Sequence, residues 1–402
     1  MEKQAFEALE FDKFRQLIAR YAQTPIGQKQ LLELEPLQDI EQIRKSHLEA
    51  SECISYQQEI GRIRISEIKD PTEMLMRLGV ANTRLDTEEL LDLQSIISIG
   101  NSLRQDFREV RDRFKALSAI LDQIPNLTPI YNKLRATLLP SGEVNEDASP
   151  ELRRIRREIG HLRSRIYRQL ESLIDQAGSE GTVRDEFVTV RNGRFVIPVR
   201  SELRGRVPGV VHGLSSSGAT AFVEPLSTIE ENNELVRLKE FESEEIAKIL
   251  FQLSEMLRKE LPAIKTMVKA IEELDLVVAK ANFAEDYSCT CPQMNLEGRL
   301  EMLDARHPLL EHNLRRSGGK VVPISLKLSR NSNAMVISGP NAGGKTVVLK
   351  TVGLLALIAQ SGLHEKGKIT LIVDVLSGSV EGINEVVTIS DEPMNATLLR
   401  AT

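Results

Sequence analysis

Gly339-Pro340-Asn341-Ala342-Gly343-Gly344-Lys345-Thr346, GPNAGGKT, lies between an apolar run, AMVIS, and a long aliphatic stretch, VVLKTVGLLALIAQ. Glycines at 339, 343 and 344 let the backbone wrap closely around an anion, with amide hydrogens turned inward and φ values that other residues resist. Lys345 brings a cation to the β- and γ-phosphates and Thr346 offers a hydroxyl to Mg2+. A helix from Val347 to Gln360 turns its positive N-terminus toward the same anion. Strand, glycine-rich loop and helix in this order predict a phosphate-binding loop at Gly339 to Thr346, with ATP and Mg2+ as the ligands.

Hydrolysis asks for one carboxylate on Mg2+ and a second that activates water, both at the end of a neighbouring strand. VVTISDEP supplies Asp391 as metal partner and Glu392 as general base, whereas ITLIVDV supplies only Asp374. The pair is the better chemistry. A plain turn after an edge strand is the competing reading, because Lys345 and Glu392 are close in sequence for a large P-loop domain.

Upstream, the periodicity is helical. Residues 1 to about 140 carry apolar side chains at steps of three and four (Phe6, Leu9, Phe14, Leu17, Ile18; Leu85, Leu90, Leu91, Leu93, Ile96, Ile97), which predicts a bundle of amphipathic helices. Breaks fall at Thr24-Pro25-Ile26-Gly27, Glu35-Pro36, Asp70-Pro71 and Leu139-Pro140-Ser141-Gly142. From Ser149-Pro150, an N-cap followed by proline at the first helical position, a coiled-coil-like seam runs through Leu152, Ile155, Ile159, Leu162, Ile166, Leu170 and Leu173. At about 1.5 Å per residue this arm is roughly 40 Å long. A second helix starts near Ser227-Thr228-Ile229-Glu230-Glu231 and continues through Leu235, Leu238, Phe241, Ile246, Ile249, Leu253 and Leu257 to Pro262, in position to pair antiparallel with the first. Between them the period changes to that of strands (FVTV, FVIPV, GVVHGL, ATAFVEP), and Asn192-Gly193 marks a type I′ hairpin. The expected fold is mainly α with an α/β P-loop portion: a helical core and lever at 1–148, a two-helix arm at 149–287 with a β-rich tip at 181–225, and an incomplete P-loop domain at 288–402.

The arm is basic although the chain carries a net charge of −6. ELRRIRREIGHLRSRIYR holds Arg153, Arg154, Arg156, Arg157, Arg163, Arg165 and Arg168, and the tip adds Arg184, Arg191, Arg194, Arg200, Arg204 and Arg206. Guanidiniums on one projection suit salt-dependent contacts to nucleic-acid phosphates. For the helix, the alternative is a solvated face paired with Glu240, Glu242, Glu244 and Glu245. No pattern of base-edge readout or aromatic stacking accompanies them, so recognition would be of shape or backbone.

Other classes are disfavoured. Charged residues make up 27% and aromatics 4%, with no Trp, a composition of long solvated helices with aliphatic seams rather than a thick aromatic core. Cys53, Cys289 and Cys291 form no disulfide framework and point to the reducing cytoplasm. The longest apolar run, Leu349 to Ala359, contains Lys350 and Thr351 and is too short for a membrane. Cys289-Thr290-Cys291 with His307 or His312 matches no zinc spacing. His212 with Ser215-Ser216-Ser217-Gly218 lacks a nucleophile elbow and reads as a polar turn.

Helical bundle, arm with β-tip, returning helix, ARHPLLE (Ala305 to Glu311) and VISGPNAGGKT together resemble the MutS family. ASPELRRIRREI, VRNGRFVIPVRSELRGRVPGVVHGLSSSGATAFVEP and LKTVGLLALIAQSGL are similar to its second bacterial branch, which lacks the mismatch-reading domain. The likeness runs from residue 1 to about 363. It implies a homodimer with composite ATPase sites, a lever, and a clamp that closes on double-stranded or branched DNA. It also implies suppression of homologous recombination and, in some members, action on collided ribosomes and their rRNA. Asn341, Lys345 and Thr346 match the family's nucleotide-binding positions. After Leu363 the family's signature segment does not follow, and DEPMNAT at 391–397 only resembles its acid-pair strand end. The expectation is an amino-terminal part with a divergent or truncated ATPase and no Smr nuclease; an inactive, self-associating fragment is the alternative.

Overall fold

A computed structural model describes residues 3–65, 68–178, 187–297, 299–329, 334–338, 344–372, 387–389 and 396–400. The helices are α1 (Lys3–Ala8), α2 (Phe11–Ile18), α3 (Pro25–Leu32), α4 (Ile40–Glu59), α5 (Thr72–Leu78), α6 (Thr87–Asp106), α7 (Lys115–Leu121), α8 (Thr128–Thr137), α9 (Pro150–Gly178), α10 (Ile229–Lys259), α11 (Leu261–Tyr287), α12 (Pro308–Ser317) and α13 (Lys345–Gln360). The strands are β1 (Thr189–Arg191), β2 (Arg194–Arg200), β3 (Gly209–Leu214), β4 (Thr220–Pro225), β5 (Gln293–Asn295), β6 (Leu300–Ala305), β7 (Ile324–Leu328), β8 (Ala334–Ser338), β9 (Lys368–Ile372), β10 (Val387–Ile389) and β11 (Ala396–Arg400). The chain is mainly helical with some β structure, in two compact units. Among the described residues, no helix is long and apolar enough to cross a membrane.

The first unit comprises Met1–Glu73, Ser95–Thr128 and Pro262–Thr402. Its core joins Phe11, Phe14 and Ile18 of α2 to Phe283 and Tyr287 of α11, Met302 of β6, Leu326 and Leu328 of β7, and Leu354, Leu357 and Ile358 of α13. Six of the chain's aromatic residues, Phe6, Phe11, Phe14, Tyr21, Phe283 and Tyr287, meet in or against this core. Phe14 meets Phe283 edge-on at 5.5 Å and Phe283 stacks on Tyr287 at 4.6 Å, so a small aromatic allotment still builds a local aromatic core. Thr24-Pro25 opens α3, with the Thr24 hydroxyl accepting from the Gly27 amide at 3.0 Å. One sheet has the order β5-β9-β6-β7, with β5 parallel to β9 and the other pairs antiparallel. The strand before the GPNAGGKT segment, β8, pairs antiparallel with β11, and β11 with β10.

The second unit comprises Met74–Gln94 and Pro129–Leu261. Ser149 caps α9 as its sequence predicts: the hydroxyl accepts from the Leu152 amide at 3.0 Å and donates to Glu245 at 2.8 Å. As residue number climbs through Ser149, Arg156 and Gln169, the partners on α10 fall through Glu245, Glu242 and Glu231, so the two helices run antiparallel. The α9 seam is buried as expected up to Leu170, after which Ile174 goes inside and Leu173 stays half-buried. On α10 the expected seam residue Phe241 is 38% exposed, with the Arg237 guanidinium over its ring at 5.3 Å. The Thr228 hydroxyl does not cap α10; it donates to the Pro225 carbonyl. Between the helices lies an antiparallel sheet of order β1-β2-β4-β3. Asn192 and Gly193 both have positive φ, 51° and 77°, and pair Arg191 with Arg194 across a type I′ turn. Buried Asn232 of α10 closes one end of the sheet, receiving the Phe195 amide at 2.9 Å and donating to its carbonyl at 3.1 Å.

Candidate functional site

The segment expected to bind phosphate, Gly339 to Thr346, follows β8 in the sequence. Gly339, Pro340, Asn341, Ala342 and Gly343 lie outside the described residues; Gly344, Lys345 and Thr346 lie within them. Gly344 caps α13 at φ 83°, ψ 10°, a left-handed conformation that glycine adopts without strain. Lys345 is only 9% exposed at the first position of α13, while Thr346 faces solvent. No acidic residue occupies the first turn of α13, so nothing on the helix itself competes for the positive end of its dipole. From Thr351 to Gln360 the helix is buried throughout. Gly353 admits it closely to the amino-terminal helices, since a Cβ there would stand 2.6 Å from Leu9.

The far end of α13 is held by polar groups that the sequence does not advertise. His47 of α4 bonds through Nε2 to the Ala359 carbonyl oxygen at 2.9 Å. Lys280 of α11 donates to the Ser361 carbonyl and the Ser46 hydroxyl, each at 2.8 Å, and burial lowers its pKa to about 8. These contacts satisfy carbonyls that a helix C-terminus leaves without intrahelical donors. Asp391 and Glu392, the candidate metal partner and base, lie outside the described residues, as does Asp374.

Arg184 also lies outside them. The other arginines of the tip divide into two sets. Arg191 lies over the Phe222 ring at 4.2 Å, and Arg194 binds Glu224 at 2.8 Å and Asn233 at 2.5 Å. Glu224 is 2% exposed, and His212 reaches its second oxygen at 2.6 Å. A carboxylate this deeply buried needs such partners, so Arg194 is committed to the tip's own structure. The sequence signal was the apolar run ATAFVEP around Glu224, since an acid in a strand buried at every position, as Thr220 to Pro225 is, calls for a cation. Arg200, Arg204 and Arg206 are exposed and form no ion pair among the described residues. On α9, Arg153 pairs with Asp147, Arg154 with Glu151 and Glu158, and Arg156 with Glu242. Arg157, Arg163, Arg165 and Arg168 form no ion pair among the described residues and face solvent. Of the acids on α10, only Glu242 answers the expectation of pairing with these arginines.

The other motifs are accounted for structurally. Ser215 to Gly218 is a tight turn between β3 and β4, with the Ser215 hydroxyl accepting from the Thr220 amide. His307 caps α12, His312 bonds to the Tyr287 hydroxyl at 2.8 Å, and burial pushes the Cys289 thiol pKa well up.

No family model matches the chain. It is 35% identical over 364 residues to the Endonuclease MutS2 of Pelotomaculum thermopropionicum, 34% over 383 residues to that of Agathobacter rectalis, and 33% over 366 residues to that of Geobacillus sp.. These alignments cover 90%, 94% and 90% of this chain and 45%, 48% and 46% of the relatives, so the chain spans about half the length of the curated relatives it matches. With identity sustained over nine-tenths of its residues, the chain belongs to the MutS family, as a paralogue of the MutS2 type.

Proposed function

We propose that this chain binds ATP with Mg2+ at Gly339 to Thr346 and, gated by that nucleotide, holds double-stranded or branched DNA by its backbone at the arm and tip. The observation that carries the reading is the start of α13: Gly344 left-handed, Lys345 next to it, and no acid in the first turn. An anion with three or four negative charges is the natural occupant of such a helix start. The relatives' name supports a polynucleotide partner, since an endonuclease cuts within one. In this reading residues 1–148 act as core and lever, 149–287 as the arm, and 288–402 as the nucleotide-binding part of a homodimer. Thr346 and Asp391 hold Mg2+ and Glu392 activates water. The biological outcome is restraint of homologous recombination through a clamp on joined duplexes.

The tip provides the test. Exposed Arg200, Arg204 and Arg206 are the residues to reverse, because Arg191 and Arg194 are engaged within the tip. Each phosphate contact contributes about 0.9 to the slope of log affinity against log salt on duplex DNA. Changing all three to Glu should make that slope shallower by roughly two to three and weaken binding similarly for all sequences. Equal slopes in the parent and the triple variant would remove the tip from the contact surface. Separately, Glu392→Gln should abolish ATP turnover while leaving nucleotide affinity in place; normal hydrolysis in that variant excludes Glu392 as the base.

A further inference from the structure

His47 of α4, His364 just after α13 and Cys291 just before β5 come from three distant parts of the sequence. One ring nitrogen of each histidine and the Cys291 sulfur nevertheless lie within 4.8 Å of one another. We propose that these three side chains form a binding site for a divalent ion of the zinc class, which staples the C-terminal end of α13 to α4 and to the segment before β5.

Three features support the assignment. Imidazole and thiolate together are the donor set that zinc-class ions select over Mg2+ or Ca2+. His47 is 4% exposed, and Nε2 faces the Ala359 carbonyl, which can only accept, so Nε2 carries the hydrogen and Nδ1 the lone pair. That Nδ1 is buried with no hydrogen-bond partner, a condition that calls for an explanation and that metal ligation removes. The Ser51 hydroxyl donates to the His47 carbonyl at 2.8 Å and lies 3.1 Å from His364 Nε2, which holds the second ring in place. Tetrahedral bonds of about 2.1 Å to nitrogen and 2.3 Å to sulfur bring ligand atoms to roughly 3.6 Å. The cluster must therefore close by about an ångström, and Cys291, which is exposed, has room to move inward. Lys280 bears on both rings with positive charge, and burial raises the Cys291 thiol pKa, so the thiolate that would offset Lys280 forms as the ion binds. Its exposed side leaves a fourth position to water.

The site shares Cys291 with the Cys289-Thr290-Cys291 motif considered from sequence but takes its other ligands elsewhere: Cys289, His307 and His312 are no part of the cluster. The test uses the whole chain, titrated with Co2+ and with Zn2+. One equivalent of Co2+ with a thiolate-to-metal absorption band, and a rise in Tm on adding Zn2+, are the expected results. Cys291→Ser should erase the band and weaken Zn2+ binding by on the order of a hundredfold, since loss of even an outer partner costs about 10–100-fold. Cys289→Ser should retain both signals. No bound equivalent, or equal Zn2+ affinity in Cys291→Ser and the parent chain, overturns the site. Because Cys291 is exposed, its serine variant should fold, and its unliganded Tm, matched to that of the parent chain, verifies this.

Discussion

Lys345→Ala should weaken ATP binding at least tenfold, measured by calorimetry or by displacement of a fluorescent nucleotide, and leave the circular dichroism spectrum unchanged. A tenfold loss is about 1.4 kcal/mol. In the proposed site one buried cation beside the terminal phosphates would supply that much, because a charge-assisted hydrogen bond is worth about 1.5–3 kcal/mol. The setting raises the effect: Lys345 is 9% exposed, and Gly344 before it directs the chain into α13 so that the side chain and the first amide groups share one end of the helix. Lys345→Arg should not restore affinity, since a planar fork does not fill the place of a compact ammonium. Thr346→Ala should act differently: the exposed hydroxyl is assigned to the metal, so its loss lowers affinity only when Mg2+ is present. Unchanged ATP affinity in Lys345→Ala removes the phosphate-binding assignment altogether.

Local chemistry was readable from the sequence, and long-range pairing only in part: the antiparallel α9–α10 pair was legible, most individual side-chain partners were not. Ser149-Pro150, Asn192-Gly193 and the Leu152 to Leu170 seam act through neighbours within a few residues, and each appears in the structure as expected. Phe241 sits at helical spacing yet stays 38% exposed, since spacing does not say which turns of α10 are covered, whereas the Glu242–Arg156 pair, 86 positions apart, was one of the alternatives the sequence offered. The same limit applies to the tip. Counting arginines treats all as alike, whereas Glu224 commits Arg194 and leaves Arg200, Arg204 and Arg206 in solvent. The cluster of His47, Cys291 and His364 was invisible for a related reason, since metal-ligand motifs are recognised by close spacing and these residues meet only through the fold.

Thr24-Pro25-Ile26-Gly27 shows how a legible local signal can conceal a long-range one, and it sets the largest stability effect expected in this chain. Proline and glycine mark a break, and α3 does begin there. The glycine, however, answers to Asp275 of α11, which is wholly buried. One carboxylate oxygen accepts from the Gln23 amide at 2.9 Å; the other accepts from the Thr24 amide at 2.9 Å and from its hydroxyl at 2.6 Å. Burial raises the Asp275 pKa and these donors oppose the rise. Asp275→Ala leaves two backbone amides and a hydroxyl without their acceptor and opens a gap between α3 and α11. The cost should be about 3–5 kcal/mol, read as a fall in the urea midpoint at constant m. A loss under about 1 kcal/mol would mean that water replaces the carboxylate. Gly27→Ala gives a second, independent reading of the same contact. Alanine in a helix normally gains about 1 kcal/mol over glycine. Here its Cβ would stand 2.2 Å from Asp275 Oδ2 and 2.8 Å from its Cγ, so the sign should reverse and the variant should be less stable than the parent. In the Asp275→Ala background that clash is gone, and Gly27→Ala should then become neutral or stabilising. Equal effects in the two backgrounds would show that α3 and α11 are not coupled through this pair.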